Sequence, residues 1–435
     1  MENRIEILTA EAVQLLKEMV AIPSPSFSED EVCTHISNWM SDRGLVHKRV
    51  GNNIIARLSE QQGVNPETFD GKPTLMLCAH IDTVSPSNEY SFDPYNPDYS
   101  KAAEVIGSEE IVPGLGSNDD GASVVSMIAV FRYFIGRFLD SSFRLARNDN
   151  SLVTSSISND TTIMSSSASV ISNRDSVMSS SNSVMSNRDS VMSSSDSVMS
   201  SEVETSLNIL LILSCEEERS GVNGMTGLWP EIKAEVDYAI VGEPTCMQAA
   251  TAERGLLVID GTAHGVSGHA ARNEGVNAID IALKDIMNLK AHEFTKISPR
   301  MGKVNLNVTQ INAGTAHNVI PDKCTFVIDI RPTEQYTNEE ILNELQGICE
   351  SELKARNLSN RSSATHENSP LQSAAERLGI ETFSSPTTSD WMRIDCDAIK
   401  MGPGNSSRSH KKDEFVYTTE IETGIKTYIE FINNL

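Results

Sequence analysis

The sequence predicts an α/β protein built on a largely parallel sheet, with a smaller α+β module inserted into it. Three observations lead there. Several short apolar runs end abruptly in a histidine or an acidic residue; helical and strand-like stretches alternate through the first half; and the pattern changes to strands separated by two helices from about residue 248. The 435 residues are too many for one ordinary core.

Taken in order, Thr9 to Met19 carries an amphipathic pattern, and Ile22-Pro-Ser-Pro-Ser26 breaks it before a second helix over Asp30 to Arg43. Strands are expected at Asn53 to Leu58 and Thr74 to Ala79, then a helix from Ala122 to Phe134 after the glycine-rich turn Gly114 to Gly121. The inserted module is expected to hold strands at Leu256 to His264, Val304 to Asn312 and Thr325 to Ile330. Its helices are expected at Ala278 to Leu289 and Asn338 to Leu353. The expected division is 1–247 and 362–435 for the large domain and 248–361 for the small one.

The chemistry lies at the ends of the apolar runs. Leu75 to Ala79 leads into His80, with Asp82 two residues on, where a carboxylate can hold one ring nitrogen while the other faces a metal. Leu207 to Cys215 leads into Glu216-Glu217-Glu218, Tyr238 to Gly242 into Glu243, and Ala398 to Met401 through Gly402-Pro-Gly404 to His410. In open α/β sheets ligands bind beyond the carboxyl ends of the strands, so these ends point to one shared site, with Asp119 or Asp120 as a fifth donor. An acidic run is usually a solvated face, but few follow seven largely apolar residues. Two imidazoles with several carboxylates suit zinc, cobalt or manganese. A pair of such ions lowers the pKa of a shared water and polarises a carbonyl, and a glutamate beside the ligands can carry the proton to a leaving amine.

These motifs, in this order, resemble the M20 metallopeptidase family over most of the chain outside one insertion. The resemblance is to its acetylornithine deacetylase-like members. It rests on Gly114-Leu-Gly-Ser-Asn-Asp-Asp-Gly-Ala-Ser123, Val241-Gly-Glu-Pro-Thr245, Asn312-Ala-Gly-Thr-Ala-His-Asn-Val-Ile-Pro-Asp322 and Gly402-Pro-Gly-Asn-Ser-Ser-Arg-Ser-His410. It implies a di-metal aminopeptidase-like catalytic domain with an inserted dimerisation (lid) domain. His80 and Glu243 would hold one ion, Glu217 and His410 the other, and Asp119 would bridge them. Glu216 would be the general base, Asp82 the partner of His80, and His269 in Ser267-Gly-His-Ala-Ala271 an oxyanion donor reaching the partner's site. Asn318 and Arg331 would recognise the substrate carboxylate, a task that suits the guanidinium fork.

The implied cofactor is two divalent ions per chain, zinc first and cobalt second, and the implied assembly a homodimer. The implied activity is hydrolysis of an N-acyl-L-amino acid, N-acetyl-L-ornithine to L-ornithine in arginine biosynthesis. Succinyl-diaminopimelate desuccinylase, a dipeptidase or carboxypeptidase, and a non-catalytic metal-binding relative are the alternatives. Cys215 stands where the family usually has Asp and Gly121 where it usually has Lys. The register therefore stays open by one residue: Asp120 for Asp119, and Glu217 with Glu218 for Glu216 with Glu217. The lower numbers keep each motif's distance from the preceding strand or glycine.

A net charge of −25 argues against nucleic acid or an anionic membrane as partner. Seven cysteines without paired spacing, and no apolar signal stretch, suggest reduced thiols and a cytoplasmic location. His264 and His317 have no comparable context. The stretch from about 139 to 203 is of another kind. Ser172 to Met185 repeats directly as Ser186 to Met199, with Asn182 becoming Asp196 as the sole change. So serine-rich a segment buries too little apolar surface to offset its ordering entropy, and a disordered surface insertion grown by duplication is expected. Replacing about Ser141 to Ser201 with a short flexible linker should leave soluble yield and turnover largely unchanged. A large loss of either would show that the segment packs against the domain.

Overall fold

The computed structural model describes residues 2–150, 206–272 and 274–435. Two compact units are distinguished, one formed by Met1–Leu139 with Thr205–Leu435 and the other by Asp140–Glu204. The repeat and its expected disorder fall in the second unit, outside the described residues.

The first unit carries a nine-stranded sheet. Its order runs Lys48–Val50, Asn53–Arg57, Asn208–Ser214, Thr74–His80, Tyr238–Val241, Asp397–Lys400, Ala249–Glu253 and Ser363–Ala364, and Thr382–Ser385 also pairs with Ala249–Glu253. The four central strands are parallel, with His80 opposite Ser214, Cys78 opposite Val241, and Val241 opposite Lys400. Their carboxyl ends therefore share one edge of the sheet.

All seven residues of Thr74–His80 are buried, because both faces of the sheet are covered. Leu75, Leu77 and Ala79 pack into a core with the helices Glu2–Val20, Asp30–Asp42, Ala122–Asn150 and Thr418–Asn433. Met76 and Cys78 point the other way, toward Met225, Leu228, Trp229 and Trp391. That two-residue alternation lets an unbroken apolar run supply two cores.

A separate antiparallel sheet has the order Asn305–Ala313, Lys323–Arg331, Leu257–His264 and Glu352–Ala355. Along Lys323–Arg331 every second residue is buried, and Cys324, Phe326, Ile328 and Ile330 pack with Leu289, Ile341 and Leu345 into a core of their own. The sheet is covered on that face by the helices Ala278–Ala291 and Asn338–Gln346. Thr337 and Glu340 form a reciprocal capping box at the start of the second helix. This helix is shorter than the sequence pattern suggests. It ends at Gly347, the backbone N–H groups of Glu350 and Ser351 donate to the buried Asp285 carboxylate (3.0 and 2.7 Å), and the chain reverses so that Leu353 lies in a strand. Among the described residues no helix is long and apolar enough to cross a membrane.

Candidate metal centre

The carboxyl edge of the four parallel strands gathers His80, Glu217, Glu218, Glu243 and His410 around Asp119. The two Asp119 oxygens face opposite histidines: Oδ1 lies 3.3 Å from His80 Nε2 and Oδ2 lies 3.6 Å from His410 Nε2. His410 Nε2 is also 3.0 Å from Glu218 Oε1. Two ligand groups result, His80 with Asp119 and Glu218, and His80 with Glu217 and Glu243, each with its donor atoms within 4.8 Å of one another.

The acidic run was left open by one residue above, and the side chains of its members face different partners. It is Glu218, not Glu217, that meets His410, and Glu217 faces His80 and Glu243. Glu216 is in neither donor group. Its carboxylate accepts from the Asn223 backbone N–H (3.0 Å) and from Asn223 Nδ2 (2.6 Å), and it packs so tightly on Gly221 that any side chain there would collide with it. The cause is local. The strand stops at Ser214, and Glu216 has φ +60°, so the first glutamate is spent turning the chain back over the sheet edge. Counting from the apolar run cannot reveal a residue used in this way.

Asp82 is near His80, as its spacing requires, but its larger task is elsewhere. His80 Nδ1 lies 3.0 Å from the Asp82 carbonyl oxygen and 3.4 Å from Oδ1. The same carboxylate accepts from the backbone N–H groups of Glu217 (3.0 Å) and Glu218 (3.1 Å) and from Ser26 Oγ (2.6 Å). It thus fixes the turn that carries both acids. Glu414 does the same for the opposite loop, accepting from the N–H groups of Asn118 and Asp119, both at 3.0 Å. Glu29 accepts from the N–H groups of Phe27 (2.7 Å) and Glu216 (3.2 Å), and Asp390 accepts from Ser214 Oγ (2.6 Å). Sequence reasoning missed Ser26, Glu29, Asp390 and Glu414. Glu414 follows Lys411-Lys412-Asp413 and reads as part of a charged surface run, and the others follow no apolar strand.

So many carboxyl groups in one pocket oppose their own ionisation. Burial pushes Glu217 and Glu243 well above the carboxylate range, and for Glu243 the charge of Asp119 adds to it. Burial, with Asp119 beside it, raises Glu414 to about 8, and burial raises Asp390 to about 6. At Asp119 burial is the largest influence and works in the same direction, but the His80 hydrogen bond together with the charges of His80 and His410 outweighs it, and the carboxyl is held below its ordinary value. Burial opposes a charged His80, yet hydrogen bonds to Asp119 and Asp82 lift it well above the usual imidazole range. His410 is lifted to about 9, first by Glu218. Buried carboxylates facing one another across two imidazoles form a hard N/O donor set short of positive charge, which fits divalent cations.

The remaining expected site residues lie apart from this cluster. His269 is exposed on a two-residue strand opposite Val319, and its Nδ1 accepts from the Ala271 N–H (3.2 Å). Asn318 is its neighbour, with its carbonyl accepting from the Ala270 N–H (3.1 Å). Arg331 ends the Lys323–Arg331 strand and forks onto Asp329 (2.9 and 3.1 Å). Asn318 precedes the other end of that nine-residue strand, roughly 25 Å away at the rise of an extended chain. Asn318 and Arg331 thus flank opposite ends of this strand.

Residues 251–357 match the peptidase dimerisation domain of the M20 proteins. Acetylornithine deacetylase of Proteus mirabilis is 28% identical over 246 residues, 52% of this chain and 63% of that protein. Succinyl-diaminopimelate desuccinylase of Verminephrobacter eiseniae is 28% identical over 255 residues, 53% of this chain and 63% of that one. In both, the match spans less than two thirds of the relative. The fold is shared with the aminopeptidase PepT of Bacillus cereus (TM-score 0.62, 16% identity, 98% of each chain). It is shared equally with a dinuclear metal binding peptidase of the M20 family from Bacillus subtilis (TM-score 0.62, 13% identity, 98% of each chain). The chain is thus similar to M20 peptidases in its dimerisation-domain segment, in part of its sequence and in its fold. Its matched segment contains the whole of the separate antiparallel sheet.

The His410 and Glu218 pairing has a pH signature in metal-free protein. A histidine whose folded pKa is raised stabilises the fold below its unfolded value, near 6.5, and loses that contribution as pH rises through about 9. The difference in thermal midpoint between metal-free wild type and His410→Ala should be greatest below about pH 6.5 and vanish above about pH 9. A difference that grows with pH would contradict the pairing.

Proposed function

We propose that this chain is a metal-dependent amidohydrolase that releases the acyl group of an N-acyl-L-amino acid, with N-acetyl-L-ornithine as the first candidate. The observation that carries the reading is Asp119 set between two histidines, each with its own flanking glutamate, while one further glutamate is left over. In this reading His80 and Glu243 would hold one divalent ion, His410 and Glu218 would hold the other, and Asp119, placed between the histidines, would serve both. Zinc suits the donor set best, with cobalt second. The ions, when bound, supply Lewis acidity toward the scissile carbonyl and toward water.

The protein's own groups do the rest. Glu217, beside the ligands and held by the Asp82 carboxylate through its backbone, accepts the proton of the attacking water and delivers it to the departing amine. Asp82 keeps His80 oriented and the acidic turn fixed. Arg331 pairs with the substrate α-carboxylate, exchanging Asp329 for it. His269 and Asn318, near the opposite end of the strand that Arg331 closes, act from a second copy, where the imidazole donates to the developing oxyanion. A homodimer is accordingly part of the proposal, and the dimerisation-domain match supports it. Succinyl-diaminopimelate is the second substrate reading, favoured by a desuccinylase relative at the same 28% identity as the deacetylase.

Glutamine substitution along the acidic run separates the roles. Glu217→Gln should lose nearly all turnover and keep two equivalents of zinc, because an amide fills the space and cannot take the proton. Glu218→Gln should lose one equivalent, and Glu216→Gln should leave metal content unchanged. Metal loss that follows Glu216 would reject the assignment. Arg331→Ala should lower kcat/KM on N-acetyl-L-ornithine by tens-fold, about 2–5 kcal/mol for a truncated buried charge pair, and far less on an N-acyl amine without the carboxylate. Wild type should prefer acetylornithine over succinyl-diaminopimelate by at least roughly tenfold. Equal rates on both, or activity on unblocked dipeptides alone, would reject the substrate and leave the hydrolase reading in place.

A further inference from the structure

A buried ion pair lies behind the carboxylate cluster, and the proposed chemistry makes no use of it. Lys400, the last residue of its strand, is 1% exposed, and its ammonium lies 3.0 Å from Glu253 Oε2, itself 0% exposed. The ammonium also donates to the Thr387 carbonyl (3.0 Å), and Glu253 accepts from Ser389 Oγ (2.6 Å). Such a pair gains little net stability, since desolvation of both charges offsets their attraction. Its orientation is the informative feature. Lys400 stands opposite Val241, two residues ahead of Glu243, and Gly402 packs directly on the Glu243 backbone. Glu253 ends the neighbouring strand, on the side away from Tyr238–Val241. The positive member of the pair is thus carried by the strand next to Tyr238–Val241 and the negative member by the strand beyond it, and the ammonium acts electrostatically on both Glu243 and Glu217. His410 and Glu218 pair with each other at the second Asp119 oxygen, and Lys400 is not among the charges that act on His410 most strongly.

We propose that Lys400 is a positioning residue that tunes the metal centre from behind, its fixed charge weakening the ion held by His80 and Glu243 relative to the ion held by His410 and Glu218. Repulsion between a unit charge and a divalent ion is twice that felt by a proton at the same place, and in a buried setting it is poorly screened. The two ions therefore bind unequally, and the one beside Glu243 exchanges first. This rests on the two-ion reading above.

The test is a zinc titration of the full chain, stripped with chelator, followed by calorimetry for wild type and for Lys400→Met with Glu253→Gln, a neutral pair of similar volume. The weaker association constant should rise about tenfold, the tighter one should move less than about twofold, and the metal-free thermal midpoint should stay close to wild type. A purely packing role would leave both constants alone or weaken both, and either result overturns the proposal. If the neutral variant does not fold, the charge swap Lys400→Glu with Glu253→Lys retains the pair and reverses its direction. It should raise the weaker constant further, and no rise would be equally decisive. Lys400→Arg, which keeps the charge, should leave both constants near wild type. Uptake of fewer than two ions by wild type would defeat the two-ion reading itself, whereas two ions with unchanged constants in the variants would defeat only the role of Lys400.

Discussion

The arrangement depends on negative charge being forced together where four parallel strands end. His80, the Glu217–Glu218 pair and Glu243 end or follow three strands that the sheet register brings to one edge, and the Ser117–Gly121 turn adds Asp119. Without positive charge among them, burial drives Glu217 and Glu243 toward their neutral forms. The cluster is thus a poor way to stabilise a fold and a good way to hold cations. The flanking cores, with Leu75, Leu77 and Ala79 on one face and Met76 and Cys78 on the other, supply the stability that such a concentration of charge consumes.

The precision of the site comes from carboxylates that accept backbone N–H groups of the loops carrying the donors. Asp82 takes two backbone N–H groups of the acidic turn and Glu414 takes two from the Asn118 and Asp119 loop. Backbone anchoring of this kind orients Glu217, Glu218 and Asp119 with little dependence on side-chain freedom. Glu29 ties the helix start at Asp30 to the same turn through the Glu216 N–H. The left-handed residue Glu216 is the local cost of bringing a chain that leaves a buried strand back over the sheet edge. The second sheet has a core independent of the first, with Phe326 and Ile341 in it, and carries Arg331 at the end of one strand, whereas His269 and Asn318 lie at a separate two-stranded ribbon.

Much of this was legible in the sequence because apolar runs and their endings obey simple rules. A seven-residue buried strand followed by a polar ligand is visible as pattern, and it located His80, Glu243 and the acidic run. The register within Glu216 to Glu218 stayed open in the sequence, since one residue in a left-handed turn leaves no mark in composition. Nor was the separation of Asn318 from Arg331, which depends on strand pairing rather than on order along the chain. Glu414 and Asp390 resemble ordinary surface acids until the fold buries them. The helix predicted to run to Leu353 ended at Gly347 because Asp285, 65 residues away from Glu350, captures the N–H groups that follow.

The central claim is that Asp119 stands between two ions whose other protein ligands are His80 with Glu243 and His410 with Glu218. Anomalous diffraction from zinc-loaded crystals, recorded on both sides of the zinc edge, tests it most directly. The account predicts two peaks about 3.5–4 Å apart, Asp119 reaching both, and Glu217 beside them without coordinating either. A single peak, or a peak coordinated by Glu216 or Asp120, would contradict it.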